Sequence, residues 1–276
     1  MYKRVEEYRA NKVLFNFIKS NNINGTVLLP VNICPDVVAT LKCTGLELLY
    51  ADISPLTFCI DEEAALSLID QVQVFLFVRT YGVEGDFNPF FKRLKKKNPK
   101  LVIIDDCCLC LPHQINSGVA DLVLFSIGEK KVVNLGQGGF GYYRKDWEYF
   151  NVTDESGLLL DISFFIDKSR FDETKAMSIK HRDHLYRIYQ QQLPLEIQFP
   201  PDYQLWRFNI IVDNKERILQ AIFSEGLFAS GHYKPIEEGY VHANWLYNHV
   251  INLFEDSYFT EEQANKTCAV INGLLR

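Results

Sequence analysis

Carboxylates, a hydroxyl and two lysines follow two neighbouring apolar segments of this sequence. Asp105 and Asp106 end the apolar run 101–104, Ser126 ends the run 122–125, and Lys130 and Lys131 come shortly after it. Apolar runs of this length are typical of buried strands, and ligands bind where the carboxyl ends of parallel strands meet. The sequence therefore predicts that an acid, a hydroxyl and an amine share one edge of a sheet.

An amine and a carboxylate placed in this way are what chemistry with pyridoxal phosphate (PLP) requires. One of the two lysines would form the Schiff base with the cofactor, and one of the two aspartates would keep the ring nitrogen protonated so that the ring accepts electrons. Ser126 would hold the phosphate. A second interpretation stays open on the residues alone, because aspartates at strand ends often form turns and adjacent lysines often lie in a solvated turn.

Alternating apolar segments and helical periods must position these residues. Segments that are apolar on both faces are typical of a parallel sheet covered by helices on both sides. We therefore expect a three-layer α/β domain with a mostly parallel sheet over residues 1–165. The predicted strands are 27–30, 46–53, 72–78, 101–106, 121–126 and 138–143, and the predicted helices are 36–44, 62–69 and 88–97.

The pattern changes in the second half of the chain. Residues 150–172 are irregular, and a polar helix is predicted from about 173 to 192. Beyond three prolines, a smaller α+β domain is expected, so that residues 166–276 form a second unit joined by that helix. Its predicted strands are 206–212 and 227–230, and its predicted helices are 215–225, 243–250 and 260–274, the last with Thr260 and Gln263 as a capping box.

The composition limits the class of protein. The 276 residues are 47% hydrophobic and 23% charged with a net charge of −6, which is typical of a globular protein and argues against nucleic-acid binding. No segment has the roughly 20 apolar residues of a membrane span, and the charged residues 1–7 are predicted to be helical rather than a signal peptide. The seven cysteines lie mostly in apolar runs, which favours reduced thiols and a cytoplasmic location.

Three further groups are interpreted as structural. The cysteines of segment 107–110 lie in a strand-like stretch whose neighbours point to opposite faces, so no metal site is expected there. His181 and His184 lie among charged residues on a helix and fit a solvated surface better than a metal site. The basic run 92–100 fits the solvated face of one helix rather than a phosphate site.

The order of the motifs resembles the DegT/StrS-type aminotransferases, which are PLP enzymes of fold type I. The similar segments are Val27-Leu-Leu-Pro-Val-Asn-Ile-Cys-Pro, Leu49-Tyr-Ala-Asp-Ile, Arg79-Thr-Tyr-Gly, Ile103-Ile-Asp-Asp-Cys-Cys, Phe125-Ser-Ile-Gly-Glu-Lys-Lys with Gly136-Gln-Gly-Gly, Arg207-Phe with Glu225-Gly-Leu-Phe, and Asn252-Leu-Phe. Seven segments in the family's order argue against chance. Counting from the Phe-Ser pair places the cofactor lysine at Lys131 rather than Lys130.

The resemblance implies a fold-type-I large domain, PLP as the cofactor, and transfer of an amino group from an amino acid to a nucleotide-linked keto sugar. It also implies a homodimer, because enzymes of this fold build each active site from two subunits. The implied site residues are Lys131 for catalysis, Asp106, Ser126, Asn11 and Lys131 for the cofactor, and Tyr81 and His232 for the substrate.

Departures from the family's pattern leave an alternative open. The strand before the phosphate-binding turn is interpreted as missing, with the turn itself at 9–12, and Leu109 and Gln137 stand where the family has polar and acidic residues. The alternative is a relative that kept the fold, lost the reaction and acts as a binding or regulatory protein. Retention of Lys131 and Asp106 argues against it, because buried charges are costly without a use.

Overall fold

A seven-stranded sheet is the centre of the first 144 residues in the computed structural model, which describes residues 1–275. Six strands run in one direction, and β7 alone runs against them, because it pairs antiparallel with both β1 and β6. The predicted mostly parallel sheet is confirmed. The strands are β1 (Tyr2–Glu7), β2 (Thr26–Pro30), β3 (Glu47–Ala51), β4 (Val74–Val78), β5 (Val102–Asp106), β6 (Leu122–Ser126) and β7 (Gly139–Arg144), in the order β1-β7-β6-β5-β4-β2-β3.

Helices cover both faces of this sheet, since every residue of β4 and β5 is buried. The sequence explains where these helices begin and end: α2 has Pro35 in its first turn and ends at Gly45, whose left-handed backbone suits glycine. In α4, Phe90, Phe91 and Leu94 face the core, and the basic run forms the outer face as predicted. The helices are α1 (Ala10–Ser20), α2 (Pro35–Thr44), α3 (Glu62–Leu68) and α4 (Asn88–Lys97).

The second half of the chain forms a three-stranded antiparallel sheet with its own helices. The elements are α5 (Lys168–Gln192), β8 (Phe208–Ile211), α6 (Lys215–Ser224), β9 (Ala229–Ser230), α7 (Val241–His249), β10 (Val250–Leu253) and α8 (Glu261–Leu275), with the strands in the order β8-β10-β9. The capping box of α8 is present, because Gln263 N–H donates to Thr260 Oγ1 at 3.2 Å and Thr260 N–H donates to Gln263 Oε1 at 2.8 Å. Within residues 1–275, no helix has the length and apolar character needed to cross a membrane.

Two hydrophobic cores underlie the two sheets. The second core includes Leu185 and Tyr189 of α5 together with Phe208, Ile251 and Cys268. Residues late in the chain also complete the first core: Phe199, Tyr203, Trp206, Ala243, Leu246 and Val250 belong to it. The division at residue 165 remains a prediction, and residues beyond it contribute to both cores.

The N-terminus corrects two sequence expectations. Residues predicted to be helical form β1, which pairs with β7 from Tyr2 opposite Arg144 to Glu7 opposite Gly139. The interpretation that the strand before the turn 9–12 is missing is therefore wrong, because β1 occupies that place. Its charged side chains are not typical of a buried strand. Charged residues are common on an edge strand, however, where they discourage pairing with other chains. Helix α5 also begins earlier than predicted, because the Asp167 side chain accepts a hydrogen bond from Arg170 N–H and caps it.

Candidate active site

A cavity of about 630 Å³ opens at the edge of the sheet where β1, β2, β4, β5 and β6 end. Because these strands share one direction, their following residues converge there, as expected for open α/β sheets. Four of the predicted site residues line the cavity: Asn11, Asp106, Ser126 and Lys131. The other lining residues include Cys34, Val78, Cys108, Leu109, Gln137 and Tyr233.

Asp106 supplies a buried carboxylate to this cavity. It is the last residue of β5 and is 7% exposed, and its Oδ1 accepts a hydrogen bond from Cys108 N–H at 2.9 Å. Burial raises the pKa of the Asp106 carboxyl, while the contacts from Cys108 and the positive charge of Lys131 oppose that rise. A cationic group placed against Asp106 would therefore be stabilised by close opposite charge.

Lys131 lies in a turn whose backbone is held by side chains from elsewhere in the chain. Three consecutive carbonyls accept hydrogen bonds: Lys130 O from Trp206 Nε1 at 2.9 Å, Lys131 O from Arg182 Nη2 at 3.4 Å, and Val132 O from the Ser178 hydroxyl. We call these contacts the carbonyl clamp. They fix the backbone on both sides of the lysine and leave its side chain pointing to a cavity that it lines.

Arg182 connects the carbonyl clamp to buried acids of the second sheet. Besides Lys131, it donates to Trp206 O at 2.5 Å and to Asp256 Oδ1 at 3.3 Å. Arg207 lies 3.5 Å from the other oxygen of Asp256, and Glu255 lies 3.8 Å from Arg182. All four charged side chains are buried. Removal of one would leave its partners buried without compensation, which is costly.

Two helix N-termini face the same cavity. Arg9 and Cys34 precede α1 and α2, and in the described part of the chain neither side chain caps its helix. The Asn11 side chain donates to Asp36 O at 3.2 Å and ties the two N-termini together. Free N–H groups and the helix dipole make such positions suitable for an anion such as phosphate.

The glycines at the start of β7 allow α1 to approach the sheet. A Cβ on Gly139 would lie 2.2 Å from Ala10 N, so any side chain there would displace the N-terminus of α1. Gly138 has a φ of +113°, which side-chain-bearing residues rarely adopt. Gly139 is therefore required by the close contact between β7 and α1, and Gly138 by its backbone conformation.

The two predicted substrate residues contact each other. Tyr81 is 1% exposed, stacks on Trp206 and donates its hydroxyl to His232 O at 2.5 Å. A substrate contact of either residue stays a prediction. Among the described residues, the cavity wall includes Tyr233 rather than its neighbour His232. Burial, together with nearby cations, lowers the pKa of His232 to about 4, so its imidazole is neutral near pH 7.

The residues expected to be structural show no metal-binding arrangement. Within residues 1–275, no group of three or more potential metal-ligating side chains is present. His181 contacts Asp256 O at 3.1 Å and His184 contacts Glu261 at 2.8 Å, so the two histidines serve separate contacts between α5 and the region of α8. All seven cysteines are free thiols.

The segment 152–165, between the two sheets, forms part of the cavity rim. Lys12, which is 1% exposed, bonds to Val152 O at 2.7 Å and forms an ion pair with Asp161. These contacts attach the segment to α1, next to the cavity that Leu160 and Ile162 line. Several apolar side chains of the segment are exposed to solvent: Leu158, Leu160, Ile162 and Phe165.

Solved structures share this fold across nearly the whole chain. Spr1654 from Streptococcus pneumoniae, assigned as a sugar aminotransferase and solved in its pyridoxamine phosphate (PMP) form, matches with a TM-score of 0.81 at 16% identity, over 99% of this chain and 87% of that chain. NtdA from Bacillus subtilis with bound cofactor PMP matches with a TM-score of 0.75 at 18% identity, over 99% and 73%. A DegT/DnrJ/EryC1/StrS aminotransferase from Brucella abortus matches with a TM-score of 0.74 at 15% identity, over 98% and 85%.

No protein-family model matches the sequence, and no curated protein matches it. The comparisons therefore establish the fold of the chain. The chain has the fold-type-I, PLP-transferase-like architecture of these DegT/DnrJ/EryC1/StrS-type aminotransferases, as its motifs predicted.

Proposed function

We propose that the protein is a PLP-dependent aminotransferase that uses Lys131 and Asp106. The observation that carries this proposal is that one cavity is lined by both residues, at the ends of neighbouring segments of the sheet. The fold shared with structures that contain PMP adds support. The same pair would have no evident use in a protein that only kept the fold.

The residues present fit this cofactor. The volume of about 630 Å³ is in the range of small-molecule sites. Asp106 would hold the ring nitrogen, Lys131 the aldehyde carbon, and Ser126 with Asn11 and the N-terminus of α1 the phosphate. When bound, PLP withdraws electrons from the substrate carbon that carries the amine.

In the proposed reaction, the protein's own groups move protons and exclude water. Lys131 Nζ would take the proton from the substrate carbon and return it, as a general base and then a general acid. The carbonyl clamp keeps the lysine backbone fixed while Nζ moves. Asp106 would be ionised beside the protonated ring nitrogen of the cofactor and would keep that proton in place. Val78, Leu109 and Tyr233 line the cavity and would limit the access of water.

Three substitutions test the assignment of the lysine and the acid. After incubation with PLP, the wild-type protein should show the visible absorbance of lysine-bound cofactor, and Lys131→Ala should lose it while binding some PLP non-covalently. Asp106→Asn should keep the absorbance but release the keto acid product of the donor amino acid at least about 100-fold more slowly.

Lys130→Ala is the matched control, because Lys130 is the adjacent and more exposed lysine. It should retain both absorbance and turnover. Wild-type protein that stays colourless with PLP would instead support a binding or regulatory protein that kept only the fold.

The proposed substrates are an amino acid donor, such as glutamate, and a nucleotide-linked keto sugar. The support is that Spr1654 is assigned as a sugar aminotransferase and shares the fold. The test is to supply glutamate with and without a nucleotide-linked keto sugar and to measure 2-oxoglutarate. Without the sugar, we expect one equivalent of 2-oxoglutarate per site, and with the sugar we expect continuous release. If adding the sugar did not increase the amount of 2-oxoglutarate, this acceptor class would be ruled out.

We also propose a homodimer in the cytoplasm. Exposed apolar side chains in and next to the cavity rim support an interface with a second copy beside the site: Leu160 is 55%, Ile162 48% and the nearby Phe165 81% exposed. Seven free thiols support a reducing compartment. Light scattering at micromolar concentration tests the assembly, and a stable monomer would contradict it.

A further inference from the structure

Tyr233 brings a phenol group from the second half of the chain to the wall of the candidate active site. It is partly exposed and lines the cavity of about 630 Å³. Within residues 1–275, its hydroxyl takes part in no hydrogen bond. The buried residues Tyr81, Tyr189 and Tyr203 each donate to a backbone carbonyl instead. Because a packed tyrosine usually finds such a partner, the hydroxyl of Tyr233 is available to a molecule in the cavity.

Contacts from other parts of the chain fix the backbone around Tyr233. On one side, His232 N–H donates to the side chain of Asn252 in β10 at 2.8 Å. On the other side, Ile236 N–H donates to Val31 O at 2.9 Å, next to the end of β2. The phenol is therefore presented to the cavity by a segment whose backbone is held at both ends.

The neighbours of the Tyr233 hydroxyl are residues of the proposed cofactor site. Burial raises the pKa of Tyr233 above its ordinary value, and the nearby Cys34, Asp106 and Cys108 add to that rise. All three neighbours line the same cavity, and Asp106 is the residue proposed to hold the ring nitrogen. The hydroxyl therefore stays protonated near pH 7 and can donate a hydrogen bond beside the cofactor ring.

One polar group of the cofactor has no partner among the residues assigned under the proposed function. Asp106 is assigned to the ring nitrogen, Lys131 to the aldehyde carbon, and the helix N-termini to the phosphate. The remaining polar group of PLP is the phenolic oxygen O3′, which lies next to the aldehyde carbon and is an anion at neutral pH. Leu109, which stands where the similar family has a polar residue, lines the cavity and has no side-chain donor for it.

We propose that the Tyr233 hydroxyl donates a hydrogen bond to O3′ of the cofactor and supplies the polar contact that Leu109 cannot make. This inference rests on the proposed function, because the oxygen belongs to PLP. The hydrogen bond favours the ionised form of O3′ and holds the ring in place against Asp106. Tyr233 is thereby a cofactor-contacting residue contributed by the second half of the chain.

Removal of the hydroxyl should weaken cofactor binding through O3′ alone. Equilibrium dialysis of the full chain, freed of bound cofactor, measures the Kd of PLP and the Kd of 3-deoxypyridoxal phosphate, which lacks that oxygen. Tyr233→Phe should raise the Kd of PLP by about tenfold, because a hydrogen bond to an ionised group is among the strong ones. The Kd of the 3-deoxy analogue should differ by less than about twofold between the wild type and the variant.

Two controls separate this contact from an effect on folding. Tyr240→Phe removes a hydroxyl that donates to Tyr50 O at 3.3 Å away from the cavity wall, and it should leave both Kd values unchanged. Cofactor-free Tyr233→Phe should melt at the wild-type temperature, because no protein group loses a hydrogen bond, and a lower melting temperature would assign the hydroxyl a structural role instead. An unchanged Kd of PLP in Tyr233→Phe, an equal loss for the 3-deoxy analogue, or an equal loss in Tyr240→Phe would overturn this inference alone. Wild-type protein that does not bind PLP would overturn the proposed function together with it.

Discussion

Replacing Arg182 with methionine should destabilise the whole chain, because Arg182 joins the lysine-bearing turn to the second sheet. The substitution removes donors to Ser178 Oγ at 3.2 Å, Trp206 O at 2.5 Å, Lys131 O at 3.4 Å and Asp256 Oδ1 at 3.3 Å. Methionine keeps most of the volume, so the change tests hydrogen bonds and charge rather than packing.

The expected loss in the free energy of unfolding follows from these contacts. Breaking a buried ion pair from one side costs about 3–5 kcal/mol. The lower end applies here, because Asp256 keeps Arg207 at 3.5 Å and two of the lost bonds are longer than 3.2 Å. We therefore expect a loss of about 3 kcal/mol, which corresponds to a decrease in Tm of about 6–12 °C at roughly 2–4 °C per kcal/mol.

Urea denaturation monitored by circular dichroism, supported by thermal melts, measures this effect. Arg187→Met is the matched control, because Arg187 lies on the same helix and forms an exposed ion pair with Asp183. It should cost less than about 1 kcal/mol. Combining Arg182→Met with Asp256→Asn should recover part of the loss, because it removes the uncompensated charge. An Arg182→Met loss no larger than that of Arg187→Met, or a double variant whose losses simply add, would refute this reasoning.

Three further outcomes are expected. Glu255→Gln should flatten the pH dependence of stability. In the wild type, burial raises the pKa of Glu255 in the folded state, so the free energy of unfolding falls as pH rises above the ordinary glutamate range. The fall is up to about 1.4 kcal/mol per pH unit and ends once the raised pKa is passed. Denaturation at several pH values checks this, and parallel profiles would contradict it. Gly139→Ala should displace Ala10, cost about 1–3 kcal/mol and weaken PLP binding, whereas Gly136→Ala, with open space around it, should cost about 1–2 kcal/mol from its positive φ and keep PLP binding in fluorescence titrations. Phe165→Asp should convert a dimer to a monomer in light scattering, and an unchanged mass would exclude this surface from the interface.

Much of the large sheet was predictable because its strands are buried on both faces. Continuous apolar runs such as those of β4 and β5 have few other interpretations. The edge strand β1 escaped prediction for the opposite reason. Its residues are charged, and its identity depends on pairing with β7, which lies more than a hundred residues away.

The candidate site was predictable only in part. Strand ends and motif order led to Asp106, Ser126 and Lys131, which line one cavity. The clamp residues Ser178 and Arg182 were missed, because a polar helix suggests a solvated surface. A signal was nevertheless present: these two residues share a helical face with Leu185 and Tyr189, which are buried. Their hydrogen-bond partners are backbone carbonyls, which every residue carries, so the sequence does not indicate them.

Helix α5 also sets where this protein can be recombined with a relative. Ser178 and Arg182, near its middle, hold the carbonyls of the lysine-bearing turn, and Leu185 and Tyr189, further along, pack in the other core. A chimera joined at residue 166 would take the donors from one parent and the acceptors from the other. A junction placed after Arg182 in α5, with Trp206 restored to this chain's residue, would keep both ends of every clamp contact from one parent. It would exchange the second sheet together with late residues such as Phe199 and Ala243 that complete the first core.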